Sequence, residues 1–182
     1  SPQSYRIEKV PETSKELSVQ REKYSITLDK GTITGSGTSS VSGYPAENLY
    51  AIMEQYSGEK RSDFLNRYVY LGNGKYTATN IKLNPGYADR DSAITLNFDI
   101  KLHDFVTEVD DQVFVNLHLR KPAGFEKIDA ATRETDQIVE YKAATFLETS
   151  FEIPKGYEVV SLPKNSESAD PRFGFKIQYR KE

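Results

Sequence analysis

The chain has 182 residues, enough for one domain with a hydrophobic core, and its net charge of −3 excludes the basic surface that nucleic-acid-binding domains present. It contains no cysteine, which excludes disulfides, thiolate nucleophiles and cysteine-ligated zinc, and no apolar run of about 18 residues, which predicts no membrane-spanning helix. Its 12 tyrosines and 9 phenylalanines favour β-sheet.

The N-terminal segment, residues 1–16, is predicted to be a linker because it holds two prolines and several charges but no hydrophobic period. The chain begins at Ser1, and its only methionine is Met53. We therefore expect a processed product or a fragment of a longer protein, with the fragment favoured over removal of a signal peptide alone. The remainder, residues 17–182, is predicted to form a single β domain.

A β-hairpin is predicted directly after the linker. Period-two alternation begins at Val19 and continues to Leu28, the Asp-Lys-Gly sequence at 29–31 predicts a turn, and a second strand follows over residues 32–42. The glycines of this second strand indicate a bulge or a close approach of another backbone.

The next segment has helical periodicity. Apolar residues at i, i+3, i+4 and i+7 predict one helix near residues 45–57, with Pro45 in its first turn. A second helix is predicted near residues 62–71, with Ser62 as its N-cap. Two short helices joined by a tight turn should pack on each other or on a face of a sheet.

From residue 76 onward the pattern returns to period two. Strands are predicted over residues 76–83, 94–102, 113–119, 141–153, 157–162 and 173–179. Loops are predicted over residues 122–137 and 164–171, and turns at 84–86 and 154–156. The predicted fold class is mainly β (α+β), an antiparallel β-sandwich with a two-helix excursion after the first hairpin.

Candidate catalytic residues are few. The only histidines are His103, which precedes Asp104 at a strand end, and His118, which lies on the face of its strand opposite the apolar residues. Both are interpreted as surface histidines rather than members of a Ser-His-Asp triad, and no Gly-x-Ser-x-Gly elbow occurs. We therefore expect that the chain has no catalytic residues and is not an enzyme. A small enzyme that relies on carboxylates or tyrosines in a cleft stays open as a lesser alternative.

Two groups of acidic residues are candidate sites for a hard cation. They are Asp89 with Asp91, and Glu108 with Asp110 and Asp111. The second group falls between two strongly predicted strands, so a solvated hairpin tip is favoured over a calcium site. We predict no metal ion and no cofactor.

The tyrosines are numerous enough to form a carbohydrate-binding face, although most are expected in the core or half-buried on strands. The candidates are Tyr44, Tyr50, Tyr68, Tyr70, Tyr76 and Tyr87.

Turn motifs in the C-terminal third resemble a known family. The sequence LRKP at 119–122 closes a strand, and IPKGYEV at 153–159 is followed by Leu-Pro at 162–163. Together with the glycine-containing hairpin at 28–43 and the helical segment, these motifs resemble the C-terminal β domain of unknown function that follows the core in bacterial transglutaminase-like proteins. The resemblance covers roughly residues 17–182. The catalytic Cys-His-Asp of that family would lie upstream of Ser1.

The resemblance implies a non-catalytic accessory or interaction domain of a larger exported protein, which docks on or positions the adjacent transglutaminase-like domain of the same chain. It also implies the periplasm or cell surface of a Gram-negative bacterium. The alternative, drawn from the tyrosine count, is a stand-alone carbohydrate- or peptide-binding β-sandwich. Docking predicts an exposed apolar patch, whereas carbohydrate binding predicts a row of exposed aromatic side chains.

Overall fold

The computed structural model describes residues 8, 14–70, 75–84, 89, 92–119, 141–170 and 173–182. A short 3-10 turn at Lys15–Leu17 precedes the regular elements. In chain order these are β1 (Val19–Asp29), β2 (Thr32–Ser42), α1 (Tyr44–Gln55), α2 (Gly58–Tyr70), β3 (Tyr76–Leu83), β4 (Ile94–Leu102), β5 (Val106–Val109), β6 (Gln112–Val115), β7 (Ala144–Glu152), β8 (Ser166–Asp170) and β9 (Phe173–Ile177).

The first hairpin is closed by a two-residue turn. Lys30 and Gly31 both have positive φ, 48° and 77°, and Asp29 pairs with Thr32 on either side of them. Two consecutive positive φ values give a turn whose twist matches that of the two flanking strands. The predicted hairpin is therefore confirmed, and β1 and β2 pair along their whole length.

The main sheet has five strands in the order β3-β4-β2-β1-β7. Its pairs are antiparallel except β1 with β7, which run parallel from Val19 opposite Ala144 to Thr27 opposite Glu152. A parallel neighbour requires a crossover connection rather than a hairpin, and β7 follows β1 only after more than a hundred residues. The mainly β, α+β fold with a helical excursion after the first hairpin is confirmed, and its main sheet is mixed.

The two helices are present, but the second begins earlier than predicted. α1 carries Pro45 in its first turn, as expected. α2 begins at Gly58 because the positive φ of this residue, 54°, reverses the chain immediately after α1. The side chain of Arg61 donates to the carbonyl of Tyr56 at the end of α1, which supports this tight connection. The prediction of Ser62 as N-cap is wrong: its hydroxyl lies within the helix and donates to the carbonyl of Gly58.

The core lies on one face of the main sheet, beneath the helices. Ile33, Ile94 and Leu102 are fully buried, and Leu49 and Met53 of α1 join the same cluster. Phe105 and Leu119, which flank the hairpin of β5 and β6, also belong to it. The opposite face of the sheet is polar, so the arrangement is a sandwich-like α+β fold with one buried interface.

Two predictions in the C-terminal half are wrong. Residues 164–171 were expected to be a loop, but β8 forms there and pairs with β9, whereas residues 157–162 are irregular rather than a strand. β8 has both faces exposed, so its sequence carries no burial period to reveal it. The turn at 154–156 is confirmed by a hydrogen bond from the amide of Tyr157 to the carbonyl of Pro154.

The strand expected at 113–119 is shorter than predicted. β6 ends at Val115, after which the amide of Asn116 donates to the carbonyl of Phe105 and its side chain accepts from the amide of His118. The loop predicted at 122–137 lies outside the described residues, as do most of the linker and the glycines beyond α2. Within the described part of the chain, no helix is long and apolar enough to cross a membrane.

Candidate interaction surface

Both histidines are exposed on the surface, and they contact different residues. His103 donates its backbone amide to the carbonyl of Lys75, and the neighbouring Asp104 forms an ion pair of 3.0 Å with the Lys75 ammonium. His118 Nε2 lies 2.9 Å from the hydroxyl of Tyr179, with the two rings edge to face. Asp104 is therefore engaged with a lysine, and His118 joins the loop after β6 to the C-terminus.

The acidic candidates occupy turns. Asp110 and Asp111 form the two-residue tip of the hairpin of β5 and β6, with Glu108 on the adjoining strand and exposed. Asp89 accepts hydrogen bonds from the amide and hydroxyl of Ser92, whereas Asp91 lies outside the described residues. In the described ranges, no three His, Cys, Asp or Glu side chains lie close enough together to hold a metal ion.

A buried carboxylate, which the sequence reasoning did not identify, lies on the core-facing side of β1. Glu22 is 2% exposed. Its two carboxylate oxygens accept hydrogen bonds from Tyr24 Oη at 2.6 Å and Gln20 Nε2 at 2.8 Å. Extending the alternation of Tyr24 and Ile26 two residues back would have placed Glu22 on the buried face. A buried carboxylate needs such donors because burial without hydrogen bonds is costly.

Two further tyrosines extend this polar cluster. The hydroxyl of Tyr76 is buried beside that of Tyr24, without a hydrogen bond of good geometry to any described group. The hydroxyl of Tyr68, on α2, interacts with Ser39, which lies opposite Glu22 in the register of β1 and β2. The cluster therefore connects the sheet to α2 through polar groups inside an otherwise apolar core.

Burial raises the pKa of Tyr24, Tyr68 and Tyr76 above the ordinary value of 10.0, and for Tyr24 the neighbouring Tyr76 raises the pKa further. Below pH 10 these phenols are neutral in the folded and unfolded states alike. Above pH 10 the unfolded chain loses their protons first, so the free energy of unfolding falls. We expect a decrease of up to about 1.4 kcal/mol per pH unit for each buried tyrosine.

Urea unfolding between pH 9 and pH 12, followed by circular dichroism, measures this decrease. The Tyr76→Phe variant serves as a control, because it lacks one titrating phenol and should show a shallower slope. Absorbance at 295 nm reports phenolate formation directly. A folded protein in which all tyrosines ionise near pH 10 would contradict the prediction.

Exposed apolar side chains are concentrated in the C-terminal arm, which we define as residues 153–182. Within its described part no residue is buried, and no arm residue belongs to the core cluster. Its exposed large apolar residues are Ile153, Tyr157, Val160, Leu162, Phe175 and Ile177. On the adjoining strand β7, Phe146 and Leu147 are also exposed. The arm thus presents an apolar surface to its surroundings.

The hairpin within the arm is amphipathic. Phe175 and Ile177 alternate along β9 and share one face, whereas Lys176 lies on the other face, opposite Glu167 of β8. Tyr179 attaches the base of the hairpin, because its amide donates to Asn165 Oδ1 and its hydroxyl contacts His118. An isolated two-stranded hairpin is marginally stable in water, so a partner over the apolar face would stabilise the arm.

Among the tyrosines considered for carbohydrate binding, the four with described side chains do not form one exposed row. Tyr50 and Tyr76 are buried, Tyr68 is half-buried, and Tyr44 is exposed and stacked on Tyr141. The side chains of Tyr70 and Tyr87 lie outside the described residues. Tyr157 and Phe175 of the arm, which were not among these candidates, are each about half exposed.

Comparisons of the chain with protein-family models, with curated proteins and with solved structures found no match.

Proposed function

We propose that this domain is a non-catalytic interaction module of a larger exported protein, and that it docks on the transglutaminase-like core of the same chain through its C-terminal arm. The observation that carries the proposal is the apolar surface of the arm, which contributes nothing to the domain's own core within the described residues. The turn motifs at 119–122 and 153–159 support the choice of parent protein. Export would place the domain in the periplasm or at the cell surface of a Gram-negative bacterium.

The exposed apolar side chains of the arm would contribute favourably to a contact with a tethered partner. Complete burial of a large apolar side chain contributes about 1.5–3 kcal/mol. Six such side chains, each already partly covered, would together contribute on the order of 5 kcal/mol when a partner covers them. A tethered partner requires less, because a linker raises its effective concentration to the millimolar range.

The chemistry of the arm favours a protein surface over a charged or sugar ligand. On the hairpin, Glu167 and Lys176 lie opposite each other and balance their charges, while Phe175 and Ile177 form the uncovered face. An interface core of this kind is apolar and aromatic, with charged residues at its edge. A carbohydrate ligand would need several convergent polar groups beside the aromatic rings. Opposite Phe175 on this face lies Ser168, whose side chain is small and carries a single hydroxyl.

The parent chain can be tested with antiserum raised against the domain. We expect a blot of lysate from the native source to show a band several times larger than the 20.6 kDa of this chain. A band near 20.6 kDa would overturn the proposal, since no tethered core would then exist. In that case a glycan and peptide screen of the isolated domain would become the leading experiment.

Docking of the arm can be tested by oxidative footprinting of the long chain and of the isolated domain. Tyr157 and Phe175, each about half exposed in this domain, should react more slowly in the long chain because the core covers them. Phe114, on the hairpin of β5 and β6 and equally exposed, is the matched control and should react alike in both. Equal reactivity of the arm in both proteins would contradict docking.

A further inference from the structure

The two edges of the main sheet differ in their protection against a further strand. Of the described strands, β3 lies at one edge, and its register shifts between Thr79 and Lys82, where Asn80 has a positive φ of 54°. A bulge and a lysine keep other strands from adding to an edge. β7 lies at the other edge, pairs with β1 in one unbroken register over nine residues, and contains neither proline nor lysine. β7 is therefore the edge that can accept another strand.

The outer edge of β7 consists of the backbone groups of alternate residues. The amide of Ala144 donates to the Ser18 carbonyl, so Ala144 faces β1. Because successive residues of a strand direct their amide and carbonyl groups to opposite sides, the residues that face away from β1 are Thr145, Leu147, Thr149 and Phe151. In the described part of the chain their amides and carbonyls form no backbone hydrogen bond, although the Thr149 hydroxyl donates to the Leu117 carbonyl.

The outer edge of β9 has a matching backbone arrangement. A Cβ on Gly174 would lie 2.9 Å from the carbonyl oxygen of Ser168, so this carbonyl points toward β9. Ser168 lies opposite Phe175, which therefore directs its own backbone groups to β8. Those of Gly174 and Lys176 consequently face away from β8. In this structure β8 and β9 form a sheet of their own, so β9 is not paired with β7 of the same chain.

Side-chain chemistry selects the direction in which these two edges fit. In an antiparallel pair, residues that exchange hydrogen bonds lie directly opposite each other. Lys176 would then lie opposite Leu147 or another core-facing residue of β7. In a parallel pair the outward residues of one strand lie opposite the inward residues of the other, so Lys176 would lie opposite a residue on the polar face. Parallel addition therefore keeps polar and apolar side chains on separate faces.

One parallel register also matches the charges. Its pairs, in the order β7 to β9, are Phe146 with Gly174, Leu147 with Phe175, Glu148 with Lys176 and Thr149 with Ile177. Gly174 leaves room for the exposed ring of Phe146, and Glu148, which lies 3.0 Å from the Lys23 ammonium, gains a second cation. Opposite charges on neighbouring strands stabilise a sheet and fix its register.

We propose that two copies of this chain associate by adding β9 of one copy, in parallel, to β7 of the other. The proposal rests on strand edges and charges within this chain and not on the proposed function. It uses the edge of β9, so the apolar face of the arm stays available to a parent core. The arm of one chain stands apart from its own β7, and a second copy therefore supplies the strand. Reciprocal exchange of the two arms closes a twofold dimer.

Sedimentation of the 182-residue chain at concentrations up to about 1 mM tests the association. We expect a species of twice the 20.6 kDa chain mass. Glu148→Lys should weaken the association about tenfold, because each dimer contains two such contacts, and Glu148→Lys/Lys176→Glu should restore it. Glu108→Lys, on β5, is the matched control and should change nothing. Urea midpoints near the parent value establish that each variant is folded. A chain that stays monomeric, or a dimer that Glu148→Lys does not weaken, would overturn the proposal.

Introduced cysteines test the register, since the chain contains none of its own. The same register, continued past β9, places Ser150 opposite Gln178, at a strand spacing that a disulfide can bridge. Mild oxidation of Ser150→Cys/Gln178→Cys should link two chains. Ser36→Cys/Gln178→Cys is the control, because Ser36 is exposed on the same face but lies two strands away from β7. A disulfide within one chain, or equal linking in the control, would show that β9 of a second copy does not occupy this edge.

Discussion

Replacing Gly35 by alanine is expected to lower the free energy of unfolding by more than about 3 kcal/mol, beyond the usual cost of over-packing a core. Gly35 lies in β2, the middle strand of the main sheet, and its backbone approaches β1 very closely. A Cβ there would lie 2.8 Å from Ile26 Cα and would meet the carbonyl of Ser25. Because the obstructing atoms belong to the backbone, no side-chain rotation relieves the clash, and the pairing of β1 with β2 must shift.

Urea unfolding of Gly35→Ala, Gly37→Ala and Ser36→Ala measures this effect. Ser36 lies between the two glycines with its side chain exposed, so its truncation should change stability by less than about 0.5 kcal/mol. At Gly37 a Cβ would meet the ring of Phe98 and would lie 2.6 Å from its Cζ atom, and this obstructing group is a side chain that can be shortened. A Gly37→Ala/Phe98→Leu double variant should therefore be less destabilised than the sum of its single variants.

A second-site rescue of Gly35→Ala by Phe98→Leu would contradict the backbone explanation. So would a loss for Gly35→Ala no larger than the loss for Ser36→Ala. Comparing the two glycine variants therefore distinguishes a clash with backbone atoms at Gly35 from a clash with a side chain at Gly37.

The glycines of β2 also show what the sequence could establish. Their presence predicted a bulge or a close approach of another backbone. The backbone of β1 lies close to Gly35, whereas at Gly37 the neighbour is the side chain of Phe98. Strands with one buried face were located well, because alternation of apolar residues such as Ile94 and Leu102 is itself the consequence of burial. In these strands, burial of one face determines both the alternation of apolar residues in the sequence and the position of the strand in the sheet.

Prediction failed where burial does not determine the structure. β8 has no buried face, so its polar sequence resembled a loop. The parallel pairing of β7 with β1 depends on a contact between distant parts of the chain, for which a single sequence carries no local signal. The early start of α2 follows from the conformation of Gly58, whereas Ser62 had the stronger capping chemistry.

The exposed apolar face of β9 could be predicted only in part. The resemblance implied an apolar docking patch, and the alternation of Phe175 and Ile177 was visible in the sequence. Alternation reports that two residues share a face, but not whether the protein itself covers that face. The stacking of Tyr44 on Tyr141 was beyond sequence reasoning, because these two residues meet only through the fold.

The second large effect is expected from removing the Tyr24 hydroxyl. The Tyr24→Phe variant removes the hydrogen bond of 2.6 Å that the Tyr24 hydroxyl donates to the buried Glu22 carboxylate. A hydrogen bond to a charged group contributes about 1.5–3 kcal/mol. We therefore expect the free energy of unfolding to fall by about 2 kcal/mol. The edge-to-face contact of this ring with Phe98 survives the substitution, so the loss reports the hydroxyl alone.

Tyr76→Phe is the matched control, since it removes a hydroxyl of the same kind and burial from the same core. The Tyr76 hydroxyl has no well-formed hydrogen bond within the described part of the chain, so its removal relieves a buried unsatisfied group. We expect stability to be unchanged or to rise by up to about 1 kcal/mol. Chemical unfolding at pH 7 compares the two variants directly. Equal losses would mean that the two hydroxyls are equivalent partners in the core, and that Glu22 does not depend on Tyr24.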